Sequence, residues 1–316
     1  MEQNSKIYVA GGDTLIGAAI VRRLERQSNI ELVGQPGAEP ELTQANAVDQ
    51  FFSEAQPDYV FLAAGESGGI LANQRYPAQL MLNNLLIECH VIESAYRHSV
   101  KKLLYLASSC SYPQLAPQPM PVEVLLTGPL EPTNEAYAVA KIAGVKLCQA
   151  YRQQYGANFI CGIPANSFGI GDDFSLENSH VVPALIRKMH QAKLEDAPAV
   201  EIWGTGTPKR EFVYVEDLAE ACTFLMQHYN EPLPINIGGG INVSIRELAF
   251  SIREVVGYSG ELQFDQSKPD GMPLKALEST PLLSMGWRPK TALMDALAET
   301  YTWFLLNFPQ KALAHA

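Results

Sequence analysis

The chain is short of positive charge, of paired cysteines and of long apolar runs, and each shortage removes a class of protein. Its 316 residues carry 23 Lys and Arg against 34 Asp and Glu, a formal net charge of −11. The basic face that nucleic acid or an anionic membrane surface attracts is missing, so neither partner is expected. A small anionic ligand stays admissible, because a local pocket can be basic on an acidic protein. The cysteines are Cys89, Cys110, Cys148, Cys161 and Cys222, an odd set with no C-x-x-C pair. Neither a disulfide framework nor a zinc or other metal site is expected, only free thiols in a reducing compartment. No run of about 18 apolar residues offers a membrane span. Residues 1–6 lack the charged start and apolar stretch of a signal peptide, and a cytoplasmic protein is expected. Internal repeats and low-complexity tracts are also missing.

What is present is an alternation of short apolar runs and amphipathic stretches. Ile7-Tyr8-Val9-Ala10 reads as a buried strand closed by Gly11-Gly12. Leu15, Ile16, Ala19, Ile20 and Leu24 follow at helical spacing. Further strands are expected at residues 31–33, 59–63, 102–106 and 158–161. Helices are expected around Val48, Phe51 and Phe52, over residues 77–98 and over residues 135–155. This rhythm predicts an α/β protein, a Rossmann-type doubly wound parallel sheet with right-handed crossovers. After Pro164 the rhythm breaks: one helix is expected at 181–191, and Pro-rich stretches take over. The expected division is a dinucleotide-binding domain over 1–164 with returns at about 213–240. A smaller α/β substrate-binding lobe takes most of 165–316. The tail after Phe308 is expected to be poorly ordered.

The first strand-to-helix turn reads Gly11-x-x-Thr14-x-x-Gly17. Amides at such a helix start suit a dinucleotide pyrophosphate. The central glycine of the usual three is replaced by threonine, so the motif alone is weak. The second strand ends Leu32-Val33-Gly34-Gln35-Pro36, without the carboxylate that holds an NAD ribose or the arginine that holds an NADP phosphate. Glu39 and Glu41 come later and read as a solvated loop.

The strongest chemistry lies at Tyr137-x-x-x-Lys141, about one helical turn apart on one face. A neighbouring ammonium lowers a tyrosine's pKa, and such a phenol can protonate a carbonyl oxygen as hydride arrives. Ser108 stands just after the fourth strand, where hydroxyls reach the ligand crevice of a parallel sheet. Cys110, two residues on, is placed to act as a base toward a carbon acid beside a ketone. His180, opening the next helix, could return a proton from the opposite side. On spacing alone an inert buried cysteine and a helix-capping histidine are the commoner outcomes, and both stay open at this level.

Longer segments carry a resemblance. They are Gly68-Gly69-Ile70, Ser108-Ser109-Cys110-Ser111-Tyr112-Pro113, Glu131-Pro132-Thr133-Asn134-Glu135-Ala136-Tyr137 through Gly144, and Asn178-Ser179-His180-Val181-Val182-Pro183. They continue with Trp203-Gly204-Thr205-Gly206-Thr207-Pro208-Lys209-Arg210-Glu211-Phe212 and Lys268-Pro269-Asp270-Gly271. In one register over nearly the whole chain, the sequence resembles the GDP-L-fucose synthases, extended short-chain dehydrogenase/reductases. The resemblance implies that Ser108, Tyr137 and Lys141 form a reductase triad, Cys110 an epimerisation base and His180 its acid. It implies a cofactor cleft at Gly11, Thr14, Leu15, Ile16 and Gly17, with Ala63, Ala64, Pro164 and Asn166 and together with Tyr137 and Lys141. Ser109, Arg187, Trp203, Arg210, Lys268 and Asp270 are implied on the side of the GDP-sugar. An arginine's planar fork suits a diphosphate, and an indole covers an apolar face. The implied substrate is GDP-4-keto-6-deoxy-D-mannose, epimerised at C3 and C5 and then reduced at C4. The implied assembly is a homodimer through the helices at 77–98 and 135–155.

The sequence departs from the family around the cofactor. Asp13 stands in place of an arginine, Thr14 in place of a glycine, and Gln35 or a neighbour in place of a second arginine. Each lost basic group removes a charge-assisted hydrogen bond worth about 1.5–3 kcal/mol. NADP(H) follows from the resemblance, while NAD(H) suits the altered residues. Leu274 stands where the family tends to have arginine, which bears on the choice of sugar or nucleotide. The alternatives are a related nucleotide-sugar epimerase or reductase on another sugar, and a non-catalytic nucleotide-sugar-binding protein with a degraded cofactor site.

Overall fold

In a computed structural model, residues 1–34, 37–175, 179–268 and 270–308 are described. The tail beyond Phe308, expected to be poorly ordered, lies outside them, as does Gln35.

The first half builds β1 (Ser5–Ala10), α1 (Leu15–Glu25), β2 (Ile30–Val33), α2 (Ala45–Ala55), β3 (Tyr59–Leu62), α3 (Ile70–Arg75), α4 (Pro77–Arg97), β4 (Lys102–Leu106), α5 (Glu135–Tyr155) and β5 (Phe159–Pro164). The second half builds β6 (Asn166–Phe168), α6 (Val181–Leu194), β7 (Ala199–Trp203), β8 (Lys209–Tyr214), α7 (Val215–His228), β9 (Ile235–Ile237), β10 (Ile241–Ser244), α8 (Ile245–Val256), β11 (Glu261–Asp265), β12 (Leu274–Lys275), α9 (Thr280–Ser284) and α10 (Leu293–Asn307).

The main sheet has six parallel strands in the order β2-β1-β3-β4-β5-β9. Helices α1 and α7 pack together, and α2, α4 and α5 pack together, so the sheet is covered on both faces. Burial on both faces explains why β3, β4 and β5 read as unbroken apolar runs rather than alternating ones. Lys102 opens β4 at 4% exposure. Its ammonium donates to the carbonyls of Leu225, Met226 and Tyr229 at 3.2, 2.8 and 2.6 Å. Those carbonyls stand at the C-terminal end of α7, where that of Leu225 also accepts from the Tyr229 amide at 3.0 Å, and a cation is favoured there.

Strand order reverses between β1 and β3, the place where ligands bind beyond the carboxyl ends of an open sheet. Beside that edge stands a second sheet, in which β8 is flanked by antiparallel β10 and by parallel β12 and β6. β7 and β11 form a parallel pair of their own. The segment 165–212, in which one helix was expected, thus also carries three strands. β12 is seamed to the loop that follows the end of β4. Met120 donates its amide to the Ala276 carbonyl at 2.8 Å and accepts from the Glu278 amide at 2.9 Å. Among the described residues, no helix is long and apolar enough to cross a membrane.

Candidate active site

The phosphate turn is built by steric exclusion. Gly11 has φ +81°, and a Cβ there would sit 2.5 Å from Ala64 Cα; a Cβ on Gly17 would sit 1.9 Å from the Gly11 carbonyl. Two of the three fingerprint glycines therefore remain obligatory. Thr14, at the central position, caps α1: its Oγ1 accepts from the Gly17 amide at 3.1 Å and donates to the Gly11 carbonyl at 2.8 Å. The Leu15 and Ile16 amides lie in the first turn, where no intrahelical acceptor exists, and suit a phosphate.

Glu39 corrects the sequence reading. It is not a solvated loop residue: its Oε1 accepts from the Tyr8 hydroxyl at 2.8 Å and from the Gly11 amide at 2.6 Å. Burial raises the pKa of this carboxyl, and the charge of Asp13 raises it further, against those two hydrogen bonds. Two carboxylates thus face the phosphate turn. A dinucleotide fits the turn's shape and its free amides.

Ser108 ends the run from β4 and caps a single 3-10 turn, Ser109–Ser111, through a 3.2 Å bond from the Cys110 amide. Its hydroxyl also meets that of Tyr137, which α5 delivers. Lys141, one turn along α5, does not tune the phenol as expected. Its ammonium sits 3.0 Å from Glu88 Oε1, with side-chain exposures of 5% and 1%, so its charge is cancelled inside the protein. Glu88 Oε1 also accepts from Tyr105 at 2.6 Å. The Tyr137 pKa is accordingly raised, not lowered, first by burial and then by the charges of Cys110 and Glu88, against the Ser108 hydrogen bond.

Cys110 is half-buried, with its sulfur accepting from Asn134 Nδ2 at 3.2 Å. Lys275, on β12, reaches the same sulfur at 3.7 Å. His180 caps α6 by its backbone only; its side chain makes no capping bond. It keeps solvent exposure as a residue. The protein around its ring lowers its pKa; Asp173 opposes that shift and Lys275 adds to it. Lys275 is therefore felt by both the thiol and the imidazole.

In the second half of the chain, Trp203 is 57% exposed, with Lys268 Nζ 5.5 Å from its ring centre. Arg210 donates to the carbonyls of Lys209, Met272 and Asp270 at 2.8, 2.6 and 3.5 Å. Both Asp270 oxygens go to Thr205, at 2.7 Å from its amide and 2.8 Å from its hydroxyl, so this carboxylate fastens the turn after Trp203. Arg187, on α6, donates to the Phe174 carbonyl at 2.9 Å. Asn166 donates to the Glu211 carbonyl at 2.9 Å. Ser109 is buried. Ala63 and Ala64 follow β3 directly against the phosphate turn, and Pro164 ends β5. Among the described residues no cluster of His, Cys, Asp and Glu could hold a metal ion.

Sequence reasoning missed Glu39, Glu88 and Lys275. Lys275 follows the quoted Lys268-to-Gly271 segment by only a few residues, but no spacing rule tells which irregular-segment lysine returns to a thiol.

A family model described as the NAD dependent epimerase/dehydratase family matches residues 7–238. The chain is 53% identical over 306 residues to GDP-L-fucose synthase 1 of Arabidopsis thaliana, covering 97% of this chain and 95% of that protein. It is 52% identical over 302 residues to GDP-L-fucose synthase of Sinorhizobium fredii, covering 96% of each. Among solved structures it is similar to a GDP-L-fucose synthetase from Naegleria fowleri bound to NADP, with TM-score 0.90 and 28% identity, covering 98% of this chain and 97% of that one.

Proposed function

The chain belongs to the GDP-L-fucose synthase group of the NAD dependent epimerase/dehydratase family, and on that footing we propose that it epimerises GDP-4-keto-6-deoxy-D-mannose at C3 and C5 and then reduces C4. The observation that carries the reading is a hydroxyl pair, Ser108 and Tyr137, next to a thiol that Asn134 and Lys275 both approach.

The roles follow from the chemistry of those groups. A C4 ketone acidifies the protons on C3 and C5. Cys110 takes such a proton, and the charge left behind is delocalised onto the ketone oxygen, which Ser108 and Tyr137 hydrogen-bond. His180 returns a proton from the opposite face, inverting the centre. A nicotinamide cofactor, when bound, supplies the hydride for C4. Tyr137 then protonates the oxygen, and its raised pKa keeps the phenol a proton donor throughout the neutral range. The Leu15 and Ile16 amides and Lys141 are the groups that would hold the cofactor. Trp203 and Lys268 offer an aromatic face and a cation to the nucleotide, and Arg210 and Arg187 stand on the diphosphate side.

The cofactor preference is relaxed toward NADH, because Asp13 stands in place of a family arginine and Glu39 brings a second carboxyl to the phosphate turn. The same observation favours one other reading, a binding protein that has lost the dinucleotide. Helices α4 and α5 expose Leu82, Tyr96, Val139 and Tyr155 and are the faces through which a homodimer would form.

The test is incubation with GDP-4-keto-6-deoxy-D-mannose plus NADPH or NADH, with the product identified by NMR. A C3/C5-inverted, C4-reduced GDP-sugar is the expected result. If neither nicotinamide binds at about millimolar concentration, the weak end of ligand affinity, the binding protein is supported instead.

A further inference from the structure

We propose that Lys275 is the positioning residue that holds Cys110 as a thiolate, the form in which it removes a proton from the sugar. The proposal rests on the epimerase reading and deepens it.

Lys275 comes to the sulfur by construction rather than by the reach of a long side chain alone. In β12 it is paired in parallel register with Arg210 of β8. On its other side the Ala276 amide donates to Gln118 Oε1 at 2.9 Å, and the Ala276 carbonyl accepts from Met120 at 2.8 Å. The strand is thus held between the substrate sheet and the loop that leaves Cys110, and its ammonium ends 3.7 Å from Sγ.

The other groups facing the sulfur do not supply this charge. Asn134 is neutral and donates one hydrogen bond at 3.2 Å. Tyr137 bears on the sulfur as an acid whose own ionisation Cys110 opposes. Lys141, the other cation of the catalytic helix, is neutralised by Glu88. At the imidazole of His180, Asp173 favours the charged form and Lys275 disfavours it. A fixed positive charge at Lys275 therefore acts on both partners in one sense, toward thiolate and toward neutral imidazole.

The step balances without any other reactant. The substrate C–H bond breaks, its electron pair remains on the sugar as enolate, and its proton forms the S–H bond. Lys275 keeps all three of its protons. The proton that His180 returns to the carbon is taken up from solvent, because Lys275 disfavours the charged imidazole at rest.

The test is site-resolved alkylation of Cys110 by iodoacetamide from about pH 5 to about pH 10, read by mass spectrometry because Cys89 is exposed as well. An opposite charge at this range lowers a pKa by about 1 to 3 units. In Lys275→Met the alkylation midpoint moves alkaline by about that much, and the rate near neutral pH falls at least about tenfold. Lys275→Arg keeps the midpoint near the wild-type value, which loss of packing alone does not explain. An unmoved midpoint in folded Lys275→Met overturns the proposal. If that variant does not fold, Lys275→Gln takes its place, and an unmoved midpoint in it overturns the proposal equally. Solvent deuterium uptake at C3 and C5 is measured in parallel on wild type. Uptake with no midpoint shift removes Lys275 and leaves the function standing. A midpoint shift with no uptake removes the function and leaves the ion pair standing.

Discussion

The ammonium of Lys141 and the carboxylate of Glu88 are 3.0 Å apart and almost sealed from water, so the lysine one turn after Tyr137 is charge-neutral in effect. Glu88→Gln strands a buried cation next to Tyr137. Losing the carboxylate and freeing the ammonium both favour phenolate, so the alkaline limb of the reduction moves to lower pH. Breaking a buried pair by one partner costs about 3–5 kcal/mol. Denaturant melts and a pH profile of NAD(P)H oxidation read the two effects. An unshifted limb in a folded variant means that Lys141 does not reach the phenol electrostatically.

Tyr137→Phe and Cys110→Ser separate the two halves of the chemistry. The first lowers reduction by about 100-fold to about 10,000-fold, the range for a lost general acid. The second abolishes solvent deuterium uptake at C3 and C5. Uptake that persists in Cys110→Ser removes that residue as the base.

The proposed link between charge at the phosphate turn and cofactor choice is tested at Asp13. Asp13→Arg exchanges repulsion for a charge-assisted bond worth about 1.5–3 kcal/mol. Its kcat/KM with NADPH rises at least about tenfold, with little change for NADH. A wild type that already prefers NADPH by about tenfold or more contradicts the relaxed preference.

Asp172 makes stability depend on pH in an unusual direction. Its side chain is buried, one oxygen accepting from the Asp173 amide at 2.9 Å and the other without a partner among the described residues. Burial raises its pKa to about 7 from 3.8. The native state then holds a proton that the unfolded chain releases between those values, so this residue's contribution falls as pH rises through that window. Asp172→Asn keeps the accepting oxygen and removes the ionisation. Its stabilising effect grows by roughly 1.4 kcal/mol per pH unit between about pH 4 and about pH 7, and is therefore larger at about pH 8 than at about pH 4. Melting temperatures at both pH values check this; equal gains at both contradict it.

The strands and helices of the first half were legible because parallel strands buried on both faces must be continuously apolar. Tyr59 to Leu62 and Lys102 to Leu106 could be read directly, as could the face shared by Tyr137 and Lys141. Lys102 itself, charged yet buried, was readable as a strand end but not as a cap, since its acceptors lie more than a hundred residues away. The site was legible where residues sit at strand ends and helix turns. It was opaque where charges meet across the fold. Nothing local told that Glu88 would cancel Lys141, or that Glu39 would fold back onto Gly11. The second half was least legible because β6 and β12 are too short for periodicity to show and β8 opens on three charged residues, Lys209, Arg210 and Glu211.

The pairing of Met120 with Ala276 and Glu278 joins the loop that follows Cys110 to the strand end that carries Lys275. Main chain as well as side chain therefore ties the sulfur to its neighbouring cation, and a substitution that frees Met120 from Ala276 would loosen a charge pair to which it contributes no atom.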